Sequence, residues 1–408
     1  MPDAPERSEL ELALLTTLGP ALIASKGYAA PEVGAVYDRA QELCQRVENF
    51  SQLPIVVFGL FAFYVVRADH EKALTLGKHL LTLAESAQDR ALLLQAHNAL
   101  GLAFFFQGDF ASSREHLERC ISMYDLEKHR SLAFSYAGQD PGVTSAVFLA
   151  WALQSSGYSD QALKRSLDAL SLAQLLSHPY SLAYAQGIAA AFHQFRKDLE
   201  VAQGLADTSL GVATEYGFPF WSAFQTIMLG WVLVQQGKAV EGIEQMSRGM
   251  EAYLATGAEL LQPYLIGLLA EALGETGSTE RGLVLLAEAL EVVEKTGERF
   301  YEAELHRQKG ELLFRSYSEG SGLPDFTAQS SSSCEIERCF LKAMTVAGRQ
   351  QAKWFELRAA TSLARLWRHQ DREEDAHSML AKSYNWFTEG FDTADLKDAR
   401  LLLSQLSE

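Results

Sequence analysis

The sequence predicts an all-α chain, an α-solenoid of helical hairpins. Three observations carry that prediction. Apolar residues recur at helical spacing, and no alternating strand pattern appears. Turn-like positions return about every 40 residues. Small residues stand at one fixed distance before and after most of those turns, where two helices would cross closely.

The unit that sets the pattern is Asp140 to Leu170, DPGVTSAVFLAWALQSSGYSDQALKRSLDAL. It reads as two amphipathic helices joined at Gly157, Tyr158 and Ser159. Val147, Leu149, Ala150 and Leu153 form the apolar stripe of the first helix; Ala162, Leu163, Leu167, Ala169 and Leu170 form that of the second. Ala150 and Ala162 let the backbones approach, and Leu149 and Leu167 are expected to fill the seam. One such hairpin cannot bury its own apolar face, so it needs copies on either side.

From the N-terminus, Leu10 to Ile23 reads as the first helix, because the preceding MPDAPERSELE is acidic where a signal peptide would be basic. Gly19-Pro20 stands where its small residue belongs and should kink or split it. Leu53 to Val66 is the longest apolar run, too short to span a bilayer. Turns then align at Gly27, Ala68, Gly108, Gly157, Arg196, Gly237, Gly277 and Asp371, with steps of 41, 40, 49, 39, 41, 40 and 94 residues. Asp125 to Asp140 supplies the extra length of the 49-residue step. The last gap holds one more hairpin, turning near Tyr317, and an insertion. Ser316 to Ser333 is Ser/Gly-rich and reads as a mobile loop, the most protease-sensitive internal segment.

Seven residues before the turns come Gly101, Ala150, Ala189, Gly230, Ala270, Gly310 and Ala364; five after come Ala73, Ser113, Ala162, Gly242, Gly282 and Ala376. Glycine inside a helix costs about 1 kcal/mol relative to alanine, so its return at one register needs a packing reason. Residues 1–88 are expected to form irregular N-terminal repeats and a cap, and 89–390 the regular array, with its insertion at 316–333. Residues 391–408 are expected to form a capping helix, with Asp392 or Thr393 at its start.

Lys and Arg number 35 against 52 Asp and Glu, a net charge of −17, which argues against nucleic acid as partner. Cys44, Cys120, Cys334 and Cys339 are too few and scattered for a disulfide framework or a zinc site. No membrane segment is expected, and a cytoplasmic chain is.

Gly101, Phe104, Gly108, Phe110 and Leu117, with Ser113 and Cys120 in place of alanines, resemble the tetratricopeptide-repeat pattern. The form is the longer one found in sensor regions of large bacterial signalling proteins. Several strings from Arg90 onward resemble something more specific: the C-terminal repeat region of bacterial proteins that join a class III adenylate/guanylate cyclase to an AAA-type ATPase. They include GQDPGV (138–143), HPYSLAYA (178–185), HQFRKD (193–198), GFPFWSA (217–223), KTGERFYEAEL (295–305) and WFTEGFDTADL (386–396). The resemblance implies a right-handed superhelix and a role in sensing or protein contact. It does not extend to the cyclase or ATPase, for which the chain has no room. The string Gly274 to Thr279, GETGST, lacks the lysine of a phosphate-binding loop and fits a repeat turn.

No G-x-S-x-G, H-E-x-x-H, C-x-x-C or dinucleotide motif is present, so no catalytic residue, cofactor or metal is expected. His193 with Asp198 or Glu200 reads as a structural hydrogen bond rather than an acid–base pair. Arg372 to Asp375 reads as a solvated helix start. Two functions remain. One is a binding scaffold with a concave groove for a peptide, protein or small effector. The other is the regulatory arm of a cyclase or ATPase whose catalytic domains lie outside this chain.

In a tetratricopeptide-like array the first helix of each hairpin lines the groove. Positions one, four and five after the small residue, and three and six before it, select Gln95, Asn98, Trp151, Gln186, His193, Gln194, Trp231, Tyr264, Glu271, Arg307, Glu311 and Arg365. Trp151, His193 and Trp231 are expected at its centre, with amides to hold a partly apolar ligand. The weighed alternative is that the tryptophans are core and the charges pair with one another.

Overall fold

A computed structural model describes residues 5–46, 51–319 and 331–407, and every regular element among them is a helix. The first hairpin is α1 (Pro5–Lys26) with α2 (Pro31–Arg46), and the second α3 (Leu53–Val66) with α4 (His70–Ala87). The third is α5 (Arg90–Phe106) with α6 (Phe110–Met123). Two single-turn helices, α7 (Leu126–His129) and α8 (Leu132–Ser135), then take up the extra length of the 49-residue step. The array resumes with α9 (Pro141–Ser155) and α10 (Ser159–Leu176), α11 (Pro179–Phe195) and α12 (Leu199–Tyr216), and α13 (Pro219–Gln235) and α14 (Ala239–Ala255). It continues with α15 (Gln262–Glu275) and α16 (Thr279–Thr296), α17 (Glu302–Glu319) and α18 (Ser331–Arg349), and α19 (Lys353–Arg368) and α20 (Glu373–Tyr384). α21 (Ala394–Gln405) covers the last hairpin.

Local chemistry explains the boundaries. Pro54, Pro141, Pro179, Pro219 and Pro263 sit in the first turn of their helices, where the missing N–H would have had no partner. Asp89 and Asp140 accept hydrogen bonds from the amides of Leu92 and Val143 at 3.0 and 2.9 Å, capping α5 and α9. The hairpins turn through a left-handed residue at Gly27, Ala68, Gly108, Gly157, Lys197, Gly237, Gly277 and Asp371. The small-residue register is the crossing point of each helix pair. A Cβ on Gly230 would lie 2.8 Å from the Gly242 carbonyl oxygen, and one on Gly242 only 2.5 Å from that of Gly230.

Several expectations need correction. The left-handed residue of the fifth hairpin turn is Lys197, one past Arg196. Pro20 does not split the first helix: α1 runs through it, held where Gly19 packs on the Tyr37 ring. Tyr317 is inside α17 rather than at a turn, and of the loop expected at Ser316 to Ser333, residues 320–330 lie outside the described residues. Leu167 is 53% exposed, and the seam is filled by Leu149, Ala150, Ala162 and Ala169 instead. Thr393 stands at the start of α21, but its hydroxyl donates to the Gly390 carbonyl rather than capping the helix.

The array winds far enough for its two halves to meet. The amides of Glu259 and Leu260 donate to the Val66 carbonyl at 2.8 and 3.0 Å, and the Arg299 amide donates to that of Phe106 at 2.7 Å. These are terminal carbonyls of α3 and α5, which have no partner within their own helix. Beside them, buried His70 Nε2 lies 3.2 Å from buried Glu298 Oε2, which also accepts the Leu261 amide at 3.1 Å. Closure leaves a compact particle. The chain exposes 17303 Å², about a tenth above the roughly 15,700 Å² of a globular monomer of its mass. The main apolar core runs from Leu12 in α1 to Leu406 just beyond α21, and Ile336, Phe340, Leu363 and Leu366 form a smaller cluster of their own. Among the described residues no helix is long and apolar enough to cross a membrane.

Candidate functional site

The first helices of the hairpins face the superhelix axis, which is filled around Trp151 and keeps a small apolar cavity of about 40 Å³ among Phe61, Phe148, Ile188, Trp221 and Phe224. Trp151 from α9 stacks on Phe195 of α11 at 5.6 Å between ring centroids. Its edges meet Tyr264 at 5.8 Å, Phe300 at 6.0 Å and Phe105 at 6.2 Å. Phe195 in turn meets Phe355 at 5.4 Å. Residues some 150 positions apart thus share one aromatic core, and Trp151 is 5% exposed.

The groove positions read from the sequence therefore divide. Gln95, Asn98, Trp151, His193, Gln194, Trp231 and Tyr264 are buried, and Gln186 is half-buried with its carbonyl oxygen inside. Their burial leaves them lining no open groove among the described residues, and over Trp151 the opposite turn of the superhelix packs through Tyr264 and Phe300. Their polar atoms find partial partners. Tyr264 donates to Gln194, Ser145 donates to Asn98 at 3.1 Å, and His193 Nδ1 lies 3.0 Å from Asp198. Both amide atoms of Gln95, and His193 Nε2, have none among the described residues.

Glu271, Arg307, Glu311 and Arg365 are half-buried and line the axis where it opens, toward α15, α17, α19 and α21. Two small clefts adjoin there through Arg307. One, of about 110 Å³, is walled by Glu271, Gln308, Glu311, Leu312 and Arg315. The other, of about 40 Å³, is walled by Lys197, Arg358, Ser362, Arg365, Asp395 and Asp398 among others. Arg307 holds Glu304 at 2.7 Å and Glu311 at 3.2 Å; Arg358 bridges Glu304 at 3.0 Å to Asp395 at 3.2 Å. Lys197 reaches Asp395 at 2.8 Å, and Arg365 grips Asp398 at 2.6 Å.

Here the charges do pair with one another, and the pairs set the ionisation. Burial pushes the Glu304 carboxyl up, but Arg307 and Arg358 outweigh it and hold it below the usual value. Burial works the same way on Asp395, and Arg358 with Lys197 brings it down to about 2. Both stay ionised at neutral pH. Among the described residues three buried acceptors at this end have no hydrogen-bond donor: Glu304 Oε2, Gln308 Oε1 and Asp395 Oδ2, the last only ion-paired with Arg358. Glu271 accepts only a long 3.4 Å contact among the described residues, from Gln308 Nε2.

Glu304 and Arg358 lie six before Gly310 and Ala364, and Arg315 five after Gly310, so the groove offsets could have found all three. Asp395 and Asp398 come from α21, outside the repeat register, and no periodic signal marks them. Among the described residues no group of three or more His, Cys, Asp or Glu is placed to hold a metal.

The tetratricopeptide-repeat family model matches residues 94–119, within the α5–α6 hairpin. A protein of Rhizobium meliloti (strain 1021) described as uncharacterized is 23% identical over 322 residues, 78% of this chain and 31% of that protein. The chain thus spans less than a third of that relative's length. Among solved structures, the apo form of the quorum sensor NprR from B. thuringiensis superposes with a TM-score of 0.52 at 12% identity, covering 94% of this chain and 99% of that one. NprR in complex with its cognate peptide NprX gives 0.51 at 13%, covering 98% and 100%. A Rap protein complexed with Competence and Sporulation Factor gives 0.50 at 14%, covering 93% and 100%. At these identities the likeness is one of fold, and the chain is a tetratricopeptide-like α-solenoid.

Proposed function

We propose that the chain is a non-catalytic binding scaffold that takes a peptide segment, alone or as part of a protein, at the open C-terminal end of its axis. The carrying observation is the polar wall there. Arg307, Arg315, Glu271 and Glu311 present both signs around one cleft, and Gln308 in the same wall keeps a buried acceptor without a donor. A peptide backbone with its side-chain charges satisfies such a wall, and an apolar effector does not. The fold's occurrence in NprR bound to its peptide NprX supports the same class of ligand.

The test is panning of a random peptide library displayed on phage. Glu271→Lys and Arg365→Glu change half-exposed residues and should leave helicity intact while reducing recovery of wild-type-selected peptides more than tenfold. Recovery indifferent to both substitutions would remove the site.

The R. meliloti relative favours a second reading, in which this scaffold is the regulatory arm of a larger signalling protein. The matched segment occupies only 31% of that relative, and the strings noted above resemble the repeat region of cyclase–ATPase proteins. Nucleotide turnover by the full-length relative, with its matched segment present or deleted, tests this arm. Unchanged turnover argues against it.

A further inference from the structure

α1 carries an apolar face that nothing among the described residues covers. Leu10, Ala13, Leu14, Thr17, Leu18 and Ala21 are all exposed, the leucines by 64%, 63% and 44%. Their spacing places them on one stripe of the helix, with no charge interrupting it. Relative to Pro20, which holds the place of the small packing residue, Ala13, Leu14, Thr17 and Leu18 lie seven, six, three and two residues before, and Ala21 one after. The same offsets in α9 fall on Val143, Thr144, Val147, Phe148 and Trp151, every one buried. The exposed face of α1 therefore continues the surface that the array buries elsewhere between hairpins and across its axis.

We propose that a second copy of this chain covers it, the two α1 helices pairing antiparallel about a twofold axis between Leu15 and Thr16. In that pairing Leu10 faces the partner's Ala21, Leu14 the partner's Thr17, and Leu18 the partner's Ala13. Each leucine meets a smaller residue, the large-into-small fit that close helix packing requires. Parallel pairing would set leucine on leucine and alanine on alanine. Charge agrees with the antiparallel choice. The first half of α1 carries Glu6, Glu9 and Glu11 against Arg7 alone, and the second half has no acid and ends at Lys26, with Glu11 and Lys26 also paired to Arg39 and Glu32 of the same chain. Antiparallel helices bring the acidic end beside the partner's basic end and oppose the two dipoles. One helix pair falls short of the ~800 Å² per partner of a standard stable interface, so the dimer is concentration-dependent.

Sedimentation equilibrium on the purified chain, from micromolar to near-millimolar, tests the proposal. The mass should rise from 45.1 kDa toward twice that value, and Leu14→Glu should hold it at the monomer with unchanged circular dichroism. For orientation, Leu14→Cys and Thr17→Cys chains are mixed, both with Cys334→Ser because Cys334 is the exposed cysteine. They should cross-link to each other in preference to themselves. A wild type that stays monomeric, a dimer that survives Leu14→Glu, or self-linking of Leu14→Cys overturns the pairing. A monomer that floats with phosphatidylcholine vesicles through α1 would assign the face to lipid, and overturns it equally.

Discussion

The hairpin turns of the two halves of this chain share a backbone and differ in surroundings. Gly27, Gly108 and Gly157, in the first half, each turn left-handed and each press against the next superhelical turn. They meet Thr256, Gln350 with Arg299, and Trp386 with Phe387 respectively. Gly237 and Gly277 turn the same way, with nothing within 4 Å of where a Cβ would stand. A glycine of the first kind is required for conformation and for space, one of the second kind for conformation alone. The contrast teaches that closure, rather than the repeat itself, makes the middle of the axis core and leaves the far end available.

The largest expected effect lies in the seam. His70 and Glu298 are buried and partner each other across it. Removing Glu298 leaves both ring nitrogens of His70 without a partner, and removing His70 leaves Glu298 the Leu261 amide alone. Glu298→Ala should therefore cost about 3 kcal/mol in urea unfolding, and His70→Ala somewhat less. Glu271→Ala, at the open end, should cost under about 1 kcal/mol. Equal losses would erase the distinction between sealed and open regions.

Glycine substitutions sharpen it further. At Gly257 a Cβ would lie 2.5 Å from the Ala29 carbonyl oxygen, on a residue with a φ of 82°. Gly257→Ala should destabilise by roughly 2–3 kcal/mol. Gly237→Ala and Gly277→Ala carry the conformational penalty alone, about 1 kcal/mol. If all three cost the same, contact between superhelical turns contributes nothing.

Asp395 extends the comparison to pH. Its carboxyl is held at about 2 in the fold against an ordinary 3.8. A depressed acid stabilises above its unfolded value and loses that contribution as pH falls through the folded one. Stability should therefore drop by about 2 kcal/mol between pH 4 and pH 2 on its account, and Asp395→Asn should flatten that part of the profile. The smallest effect belongs to the half-exposed pair Arg365–Asp398. Asp398→Ala should change stability by less than about 1 kcal/mol, measured by the same unfolding curves.

Much of the fold was legible because it is local. Gly27, Gly108, Gly157, Gly237 and Gly277 announce left-handed turns by residue type, and the period carries the reading to Ala68 and Asp371. It slipped by one at Lys197, a residue type that gives no such mark. The small-residue register was legible too, since Gly230 and Gly242 make sense only where backbones touch. The state of the axis was not. Periodicity tells that Trp151 and Tyr264 face inward; whether anything fills the space they face depends on Phe300, far along the chain. The charged end was partly legible through Arg307 and Glu311. Asp395, from a helix outside the repeat, left no trace in the pattern.

The two halves of the array touch across the seam. Arg67 and Glu259 mark it, half-exposed and paired at 3.7 Å beside the Val66 carbonyl. With both changed to cysteine in a Cys334→Ser background, a short bifunctional maleimide should link them within a single chain rapidly and almost completely. Arg67→Cys paired with Glu215→Cys should not link. Absence of the intramolecular link between positions 67 and 259 would mean an open superhelix, and would contradict the account at its root.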